Sequence, residues 1–381
     1  MQWMVPKTRL DSDQELILDS CLKTKGNTYI RGHAGTGKTV LLIHALSEYL
    51  LRNENASVCI VLYTHSLIEL VRTGIPDHLG QIPVMTYYEF MKRPRRYNLI
   101  LVDEIQDLEF HPLQEIAQYS DRCIVAGDKN QSIYEDRVST KDIKKLLDPQ
   151  IHTLGVLYRL TQTIRDIVQT ILPDAGIESA RIDRTIADVQ VSLAKADTKI
   201  EEIQWVWKQS KKYSQQGDPS VILLPHHDMI KEFIEGVCKT EGIEEPTFPL
   251  NRWQGKYDYD SINRHLSQNN LKFMYLGSRY GALRVSDNAP FVYIMTYYGA
   301  KGLDFKNVFL PFLETNVSFG RNQDLDRRVF FVGMTRSRLN LFLSHKSTNP
   351  HVYVQNMPQK LLHKINCKIE TKTDTNVGFH F

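Results

Sequence analysis

The octet Gly32-His33-Ala34-Gly35-Thr36-Gly37-Lys38-Thr39 constrains this chain more than any other feature. It fits the phosphate-binding pattern G-x-x-x-x-G-K-[ST], which functions only between a strand and a helix. Asn27 to Arg31 predicts the entering strand, and Val40 to Leu46 predicts the leaving helix. Glycines at Gly32, Gly35 and Gly37 let backbone N–H groups turn inward around phosphate oxygens, beside Thr36. The helix N-terminus adds about half a positive charge at the same point. Lys38 is expected to reach the β and γ phosphates of ATP, and Thr39 to hold Mg²⁺ through its hydroxyl. The loop therefore implies an α/β fold.

A second segment supports it. Leu99-Ile100-Leu101-Val102 is a continuous apolar run, as in a parallel strand buried on both faces, and it ends in Asp103-Glu104. Ligands of open α/β sheets bind at the carboxyl ends of strands. Asp103 is expected to hold Mg²⁺ through its water shell, and Glu104 to orient and deprotonate an attacking water. Phosphoryl transfer needs positioning and charge neutralisation, which these residue types supply. A solvated acidic pair is the alternative, and the nearby loop disfavours it.

Asp103-Glu104-Ile105-Gln106-Asp107 resembles the D-E-x-Q-D box of superfamily 1 DNA helicases of the UvrD/Rep type. Further boxes follow in that family's order: Asp11 to Gln14, Leu62 to His65, Val84 to Phe90, Val125 to Tyr134, Leu157-Tyr158-Arg159, Met295 to Phe305 and Arg327 to Ser337. Each alone is modest; together, in order, they span Gln14 to Ser337. The resemblance implies two RecA-like P-loop NTPase lobes with parallel sheets and an ATP site in the cleft between them. It implies that Gln14 reads the adenine edge and Tyr158 stacks on its face. Gln131 would sense the γ phosphate, Arg159 and Arg336 would act as arginine fingers, and Asp304 would lie near the ribose or metal. Tyr63, Thr64, Thr86, Tyr88, Tyr134 and Tyr298 would line the nucleic-acid track. A surface salt bridge is the alternative for each arginine.

Three departures bear on that track. The family's tryptophan after Q-S-I-Y is replaced by Asp136, which loses base stacking worth about 1–3 kcal/mol. Tyr88 and Tyr298 stand where the family has histidines, and tyrosine can still stack and donate a hydrogen bond. Only about forty residues separate Thr64 from Asp103, and about 135 separate Arg159 from Thr296, which leaves no room for the family's large inserted domains.

Length and composition suit two ordinary soluble domains: 381 residues, 42% hydrophobic and 24% charged. The expected division is an N-terminal lobe over 1–152, a second lobe over 153–345 and a tail over 346–381. A helix is expected around Gln359 to Leu362, and a mobile polar stretch from Lys368 to Thr375. In the second lobe, Glu201 to Lys208 predicts a helix in which Trp205 and Trp207 pack. Ser220 to Pro225 predicts a buried strand and Asp228 to Lys239 a helix. Phe291 to Met295, Asn307 to Leu310 and Arg338 to Ser344 predict further strands. Cys21, Cys59, Cys123, Cys238 and Cys367 show no zinc or disulfide spacing. His226-His227 reads as a polar turn rather than a metal site. With no apolar run of membrane length and no signal sequence, a cytoplasmic location without membrane contact is expected. Net charge is +3, which neither requires nor excludes nucleic acid. Lys92-Arg93-Pro94-Arg95-Arg96 is a candidate contact, or a solvated loop.

Two functions fit. One is an ATP-dependent translocase or helicase acting on single-stranded DNA, or on DNA with single-stranded ends, with the family's 3′ to 5′ polarity. The other is a DNA-sensing ATPase subunit that regulates a partner nuclease or other protein, for example in anti-phage defence, without unwinding alone. A nucleotide kinase would leave Gly299 to Asp304 and Thr335-Arg336 unexplained.

Overall fold

The computed structural model describes residues 3–214, 218–251, 256–277, 280–281, 290–346 and 348–368. Most of the polar stretch Lys368 to Thr375 lies outside the described residues. Two parallel sheets organise the described chain, each clothed by helices.

The first sheet has six strands: β1 (Thr28–Gly32), β2 (Val58–Leu62), β3 (Val84–Thr86), β4 (Leu99–Val102), β5 (Cys123–Gly127) and β6 (Gln150–Leu154). Their spatial order is β3-β2-β4-β5-β1-β6. All neighbours are parallel. Every residue of β2, β4 and β5 is buried, which explains why these strands are apolar throughout and do not alternate. Helix α1 (Ser12–Lys23) precedes β1 and α2 (Lys38–Arg52) follows it. Because β5 lies between β1 and β4, the loop after β5 runs between the phosphate loop and Asp103-Glu104.

The second sheet has seven parallel strands, in the order Phe273–Tyr275, Val292–Thr296, Ser220–Leu224, Phe305–Leu310, Ser337–His345, Val191–Lys195 and Leu362–Asn366. Helices Lys199–Ser214 and His227–Glu241 cover it. Trp205 and Trp207 are buried in this lobe's core. A larger apolar cluster runs continuously from Trp3 to Leu362 through both halves, so the lobes share a hydrophobic seam. The fold is thus α/β with two RecA-like lobes.

The tail differs from expectation. Gln359–Leu361 is a single 3₁₀ turn, and Leu362–Asn366 is an edge strand beside Val191–Lys195. Only Leu362 of that strand is fully buried, so its alternation is too weak to read as a strand. β6 also carries the first sheet through Thr153 and Leu154 before the chain crosses to the second lobe. All five cysteines are free and buried.

Candidate functional site

The phosphate loop takes its shape from glycine. Gly35 and Gly37 adopt φ of +80° and +85°, where a side chain would be strained. Gly37 caps α2, so Lys38 and Thr39 form that helix's first turn. Lys38 Nζ donates to the Gly32 and His33 carbonyls at 2.9 and 3.1 Å and so lies across the loop. Thr36 is fully buried and its hydroxyl donates to the His33 carbonyl at 3.0 Å.

Asp103 and Glu104 leave the carboxyl end of β4 into this space. Thr39 Oγ1 donates to Asp103 Oδ2 at 2.6 Å. Burial, with the neighbouring Glu104 charge, pushes the Asp103 carboxyl up to about 6. This convergence of a hydroxyl and a carboxylate on hard oxygen atoms fits the ligand chemistry of Mg²⁺. Glu104 holds a left-handed backbone at φ 54°, uncommon for glutamate and typical of functional positions. Burial opposes its ionisation, but the Lys38 and Lys301 charges, a hydrogen bond from Gln106 and the Arg336 charge outweigh it, and its carboxyl sits below the usual range.

Gln106 fixes the neighbouring loop. Its amide nitrogen donates to Glu104, while its oxygen accepts from the Asp128 N–H at 3.0 Å. A Cβ on Gly127 would come within 2.4 Å of that oxygen and 2.9 Å of Ile105 Cγ2, so a side chain there would displace the Gln106 amide. Gln131 Nε2 then donates to Asp128 Oδ2 at 3.1 Å, which leaves Gln131 Oε1 aimed at the second lobe.

From that lobe Arg336 enters almost fully buried. It donates to Gln131 Oε1 at 2.8 Å, to the Val332 and Leu303 carbonyls at 2.9 and 3.0 Å, and to Thr335 Oγ1 at 3.2 Å. Burial lowers its guanidinium to about 10, which leaves it charged at neutral pH. Arg159 lies over the loop, where a Cβ on Gly35 would meet its own Cβ at 3.0 Å. It pairs with Asp304, which Arg338 also approaches at 3.2 Å. The Tyr158 N–H donates to the Gly35 carbonyl at 2.9 Å. Gln14 sits in the α1 capping box with Asp11, and its Nε2 reaches the Thr36 carbonyl at 3.4 Å. Lys38, Thr39, Glu104, Gln131, Arg159, Asp304 and Arg336 therefore share one cleft, with a cavity of about 40 Å³ between them.

One contact across the lobes stands out beyond the expected set. Lys301, 1% exposed, crosses from the second lobe and donates to Asp107 Oδ1 at 2.6 Å and to the Gln131 carbonyl. Burial pushes the Asp107 carboxyl up to about 7, against the pull of the Lys301 charge. Lys301 Nζ also lies 5.6 Å from the centre of the Tyr134 ring. Both residues belong to boxes visible in the sequence, but nothing in either box names its partner.

Tyr134 opens onto an aromatic row. Ring centres are 4.1 Å apart for Tyr88–Tyr87, 5.3 Å for Tyr87–Tyr63, 4.5 Å for Tyr63–Tyr134 and 5.8 Å for Tyr134–Tyr298. The row thus crosses from the first lobe to the second. Tyr87 and Arg137 were not expected here. Arg137 lies 5.7 and 5.5 Å from the Tyr63 and Tyr134 centres and pairs with Glu109 at 2.5 Å. Asp136 takes a left-handed backbone at φ 56°, which aspartate tolerates better than tryptophan. Thr64 precedes helix α3 (His65–Gly74). Thr86 departs from its expected place on the track. It is 1% exposed and caps helix α4 (Tyr87–Lys92), exchanging hydrogen bonds with Glu89, so its side chain is committed to the helix. His227 Nδ1 bonds Tyr259 Oη at 2.6 Å within an aromatic cluster of the second lobe.

Comparison with known proteins agrees with this geometry. The family model of the UvrD-like helicase C-terminal domain matches residues 254–348, and that of an AAA domain matches residues 14–137. DNA helicase II of Rickettsia typhi is 33% identical over 96 residues, which is 22% of this chain and 14% of that protein. ATP-dependent DNA helicase Rep of Buchnera aphidicola is 29% identical over 121 residues, 27% of this chain and 17% of that protein. The matched part is thus a small share of each curated relative. Among solved structures, the PRRSV helicase aligns with 90% of this chain and 56% of its own, at 14% identity and a TM-score of 0.44. The two family models fall one on each lobe of the cleft, and together with these relatives they support a superfamily 1 helicase of the UvrD/Rep type.

Proposed function

We propose that this chain hydrolyses ATP in the cleft between its lobes and uses the cycle to move along single-stranded DNA, 3′ to 5′. The observation that carries the reading is the Arg336–Gln131 contact. It brings a buried cation from the second lobe to the edge of the Glu104 and Lys38 site. Gln14 and Tyr158 hold the base, and the loop from Gly32 to Thr39 holds the phosphates. Thr39 and Asp103 would hold Mg²⁺, which would supply neutralisation of phosphate charge. Glu104, kept ionised by its cationic neighbours, accepts a proton from water. Arg336 and Arg159 stabilise charge that develops on the transferring phosphoryl group, an effect worth about 10³–10⁵ in rate.

A cavity of about 40 Å³ is far below the roughly 300 Å³ of an ordinary small-molecule site. The lobes therefore part to admit nucleotide, and the aromatic row, whose ends belong to different lobes, changes with them. We further assign residues 1–154 to the ATP-binding lobe, which keeps the whole of β6 with its sheet, and residues 155–345 to the second lobe, whose sheet gains the strand Leu362–Asn366 from the tail. Tyr63, Thr64, Tyr88, Tyr134 and Tyr298 form the track for the strand.

The test is steady-state ATP turnover of the purified chain alone and with single-stranded DNA, duplex DNA or RNA. Marked stimulation by single-stranded DNA, with directional strand displacement, supports the motor. A second reading, a DNA-sensing ATPase that controls a partner nuclease, is favoured by the exposed Asp136 beside the row. It predicts stimulated turnover without displacement by the isolated chain. Turnover indifferent to every nucleic acid refutes the motor.

A further inference from the structure

The aromatic row ends at Tyr88, a residue 63% exposed. Tyr88 lies on α4, a helix anchored on its other face by the buried Tyr87 and Phe90. Lys92 is four residues further along the same helix, so Tyr88 and Lys92 are neighbours on one face, with Cβ atoms about 5–6 Å apart. Arg93 and Arg95 follow at once, flanking Pro94, which restricts the backbone and limits the ordering cost of presenting them.

Lys92, Arg93 and Arg95 are exposed and form no ion pair among the described residues, whereas Arg96 is tied to Asp121 at 2.7 Å. Glu89, the acid nearest in sequence, turns its carboxylate back into the α4 capping box. The cluster is not the by-product of a basic chain. Net charge is +3, so neutralising these three residues alone would bring the formal charge to zero. Interleaved stacking surfaces and cations are the chemistry by which proteins hold single-stranded nucleic acid.

We propose that Lys92, Arg93 and Arg95 form a phosphate-binding extension of the aromatic row that grips the flank of the bound single strand beyond Tyr88. This rests on the strand-binding reading above. The extension makes up in part for the stacking lost at Asp136. It also lengthens the footprint on the first lobe alone, so that this lobe keeps a hold on the strand while the lobes part.

The experiment measures binding of fluorescein-labelled oligo(dT) of about 8 and about 16 nucleotides to the full chain, between roughly 50 and 200 mM salt. The wild type is compared with K92A/R93A/R95A and with a charge-matched control, K23A/K25A/R52A, at exposed cations outside this cluster. Each phosphate contact to a single strand contributes about 0.7 to the slope of log K against log salt. The patch variant should therefore lose about 2 from the slope on the longer strand and little on the shorter one. The control should keep the wild-type slope. Equal slopes for wild type and patch variant, or equal losses in patch variant and control, overturn the proposal. So does binding of polyglutamate that disappears in the patch variant while its DNA slope holds, which would assign the patch to an acidic protein. If wild type binds neither oligomer, the strand-binding reading itself fails and takes this proposal with it.

Discussion

Removing the ammonium of Lys301 tests how the lobes are joined. Lys301→Met keeps the side chain's length and apolar stem but leaves Asp107, itself 1% exposed, without the cation 2.6 Å from its Oδ1. Breaking a buried pair by deleting one partner costs about 3–5 kcal/mol, mainly because a charge stays behind in a dry site. Burial has already pushed Asp107 up to about 7. It can therefore respond by taking a proton, which holds the expected loss near the lower limit of about 3 kcal/mol. Against a typical total stability of about 5–15 kcal/mol, this is a large fraction. In urea, with m of about 1–3 kcal/mol/M, the midpoint should fall by about 1–3 M. The decisive measurement adds Asp107→Asn alone and with Lys301→Met. With both charges gone, the double variant should recover to within about 1 kcal/mol of wild type, giving a coupling energy of at least about 2 kcal/mol. A double variant as unstable as the sum of the two single variants would refute the claim that this pair clamps the lobes.

Other predictions address the remaining parts. Lys38→Ala should abolish ATP turnover, whereas Arg336→Ala should leave nucleotide binding intact and lower kcat by about 10³–10⁵; an equal loss of binding would exclude a finger role. Tyr134→Ala should weaken single-stranded DNA binding by about 1–3 kcal/mol in anisotropy titrations. Thr86→Ala should leave that affinity unchanged and cost about 1 kcal/mol of thermal stability through its lost cap. Burial pushes Glu202, in the second lobe's core, from 4.5 up to about 7. Its contribution to stability is therefore complete below about pH 4.5 and is lost as pH rises through about 7. Glu202→Gln keeps the oxygen that accepts from Phe312 N–H and Ser344 Oγ and should flatten that decline; a wild-type slope in the variant would show that another group is responsible.

Contiguous chemistry was legible in the sequence and distant pairing was not. The loop from Gly32 to Thr39 and the acids at Asp103 and Glu104 can be read locally, because a phosphate cradle and a strand-end carboxylate pair each need neighbouring residues of fixed type. The apolar run of β4 announced a parallel sheet for the same reason. By contrast, Lys301 meets Asp107 across 194 residues, and Arg336 meets Gln131 across 205. Each side chain was in view, but only the packing of two lobes decides which carboxylate or amide it finds. Thr86 misled because a threonine at the mouth of a groove and a threonine capping a helix look alike in sequence; Glu89 three residues later was the signal for a cap. The strand at Leu362–Asn366 was missed because an edge strand with one face in water needs little apolar content.

That strand also sets an order of assembly. The first sheet's strands all lie between Thr28 and Leu154, so this half has its full hydrogen-bonding complement once that stretch has left the ribosome. The second sheet cannot be completed until Leu362–Asn366 is made, more than 160 residues after its neighbour Val191–Lys195. Throughout that interval the edge of Val191–Lys195 stays open to pairing with other chains, a known route to aggregation. A chain that stops short of Leu362 would keep every residue of the ATP cleft, yet would still carry this open edge.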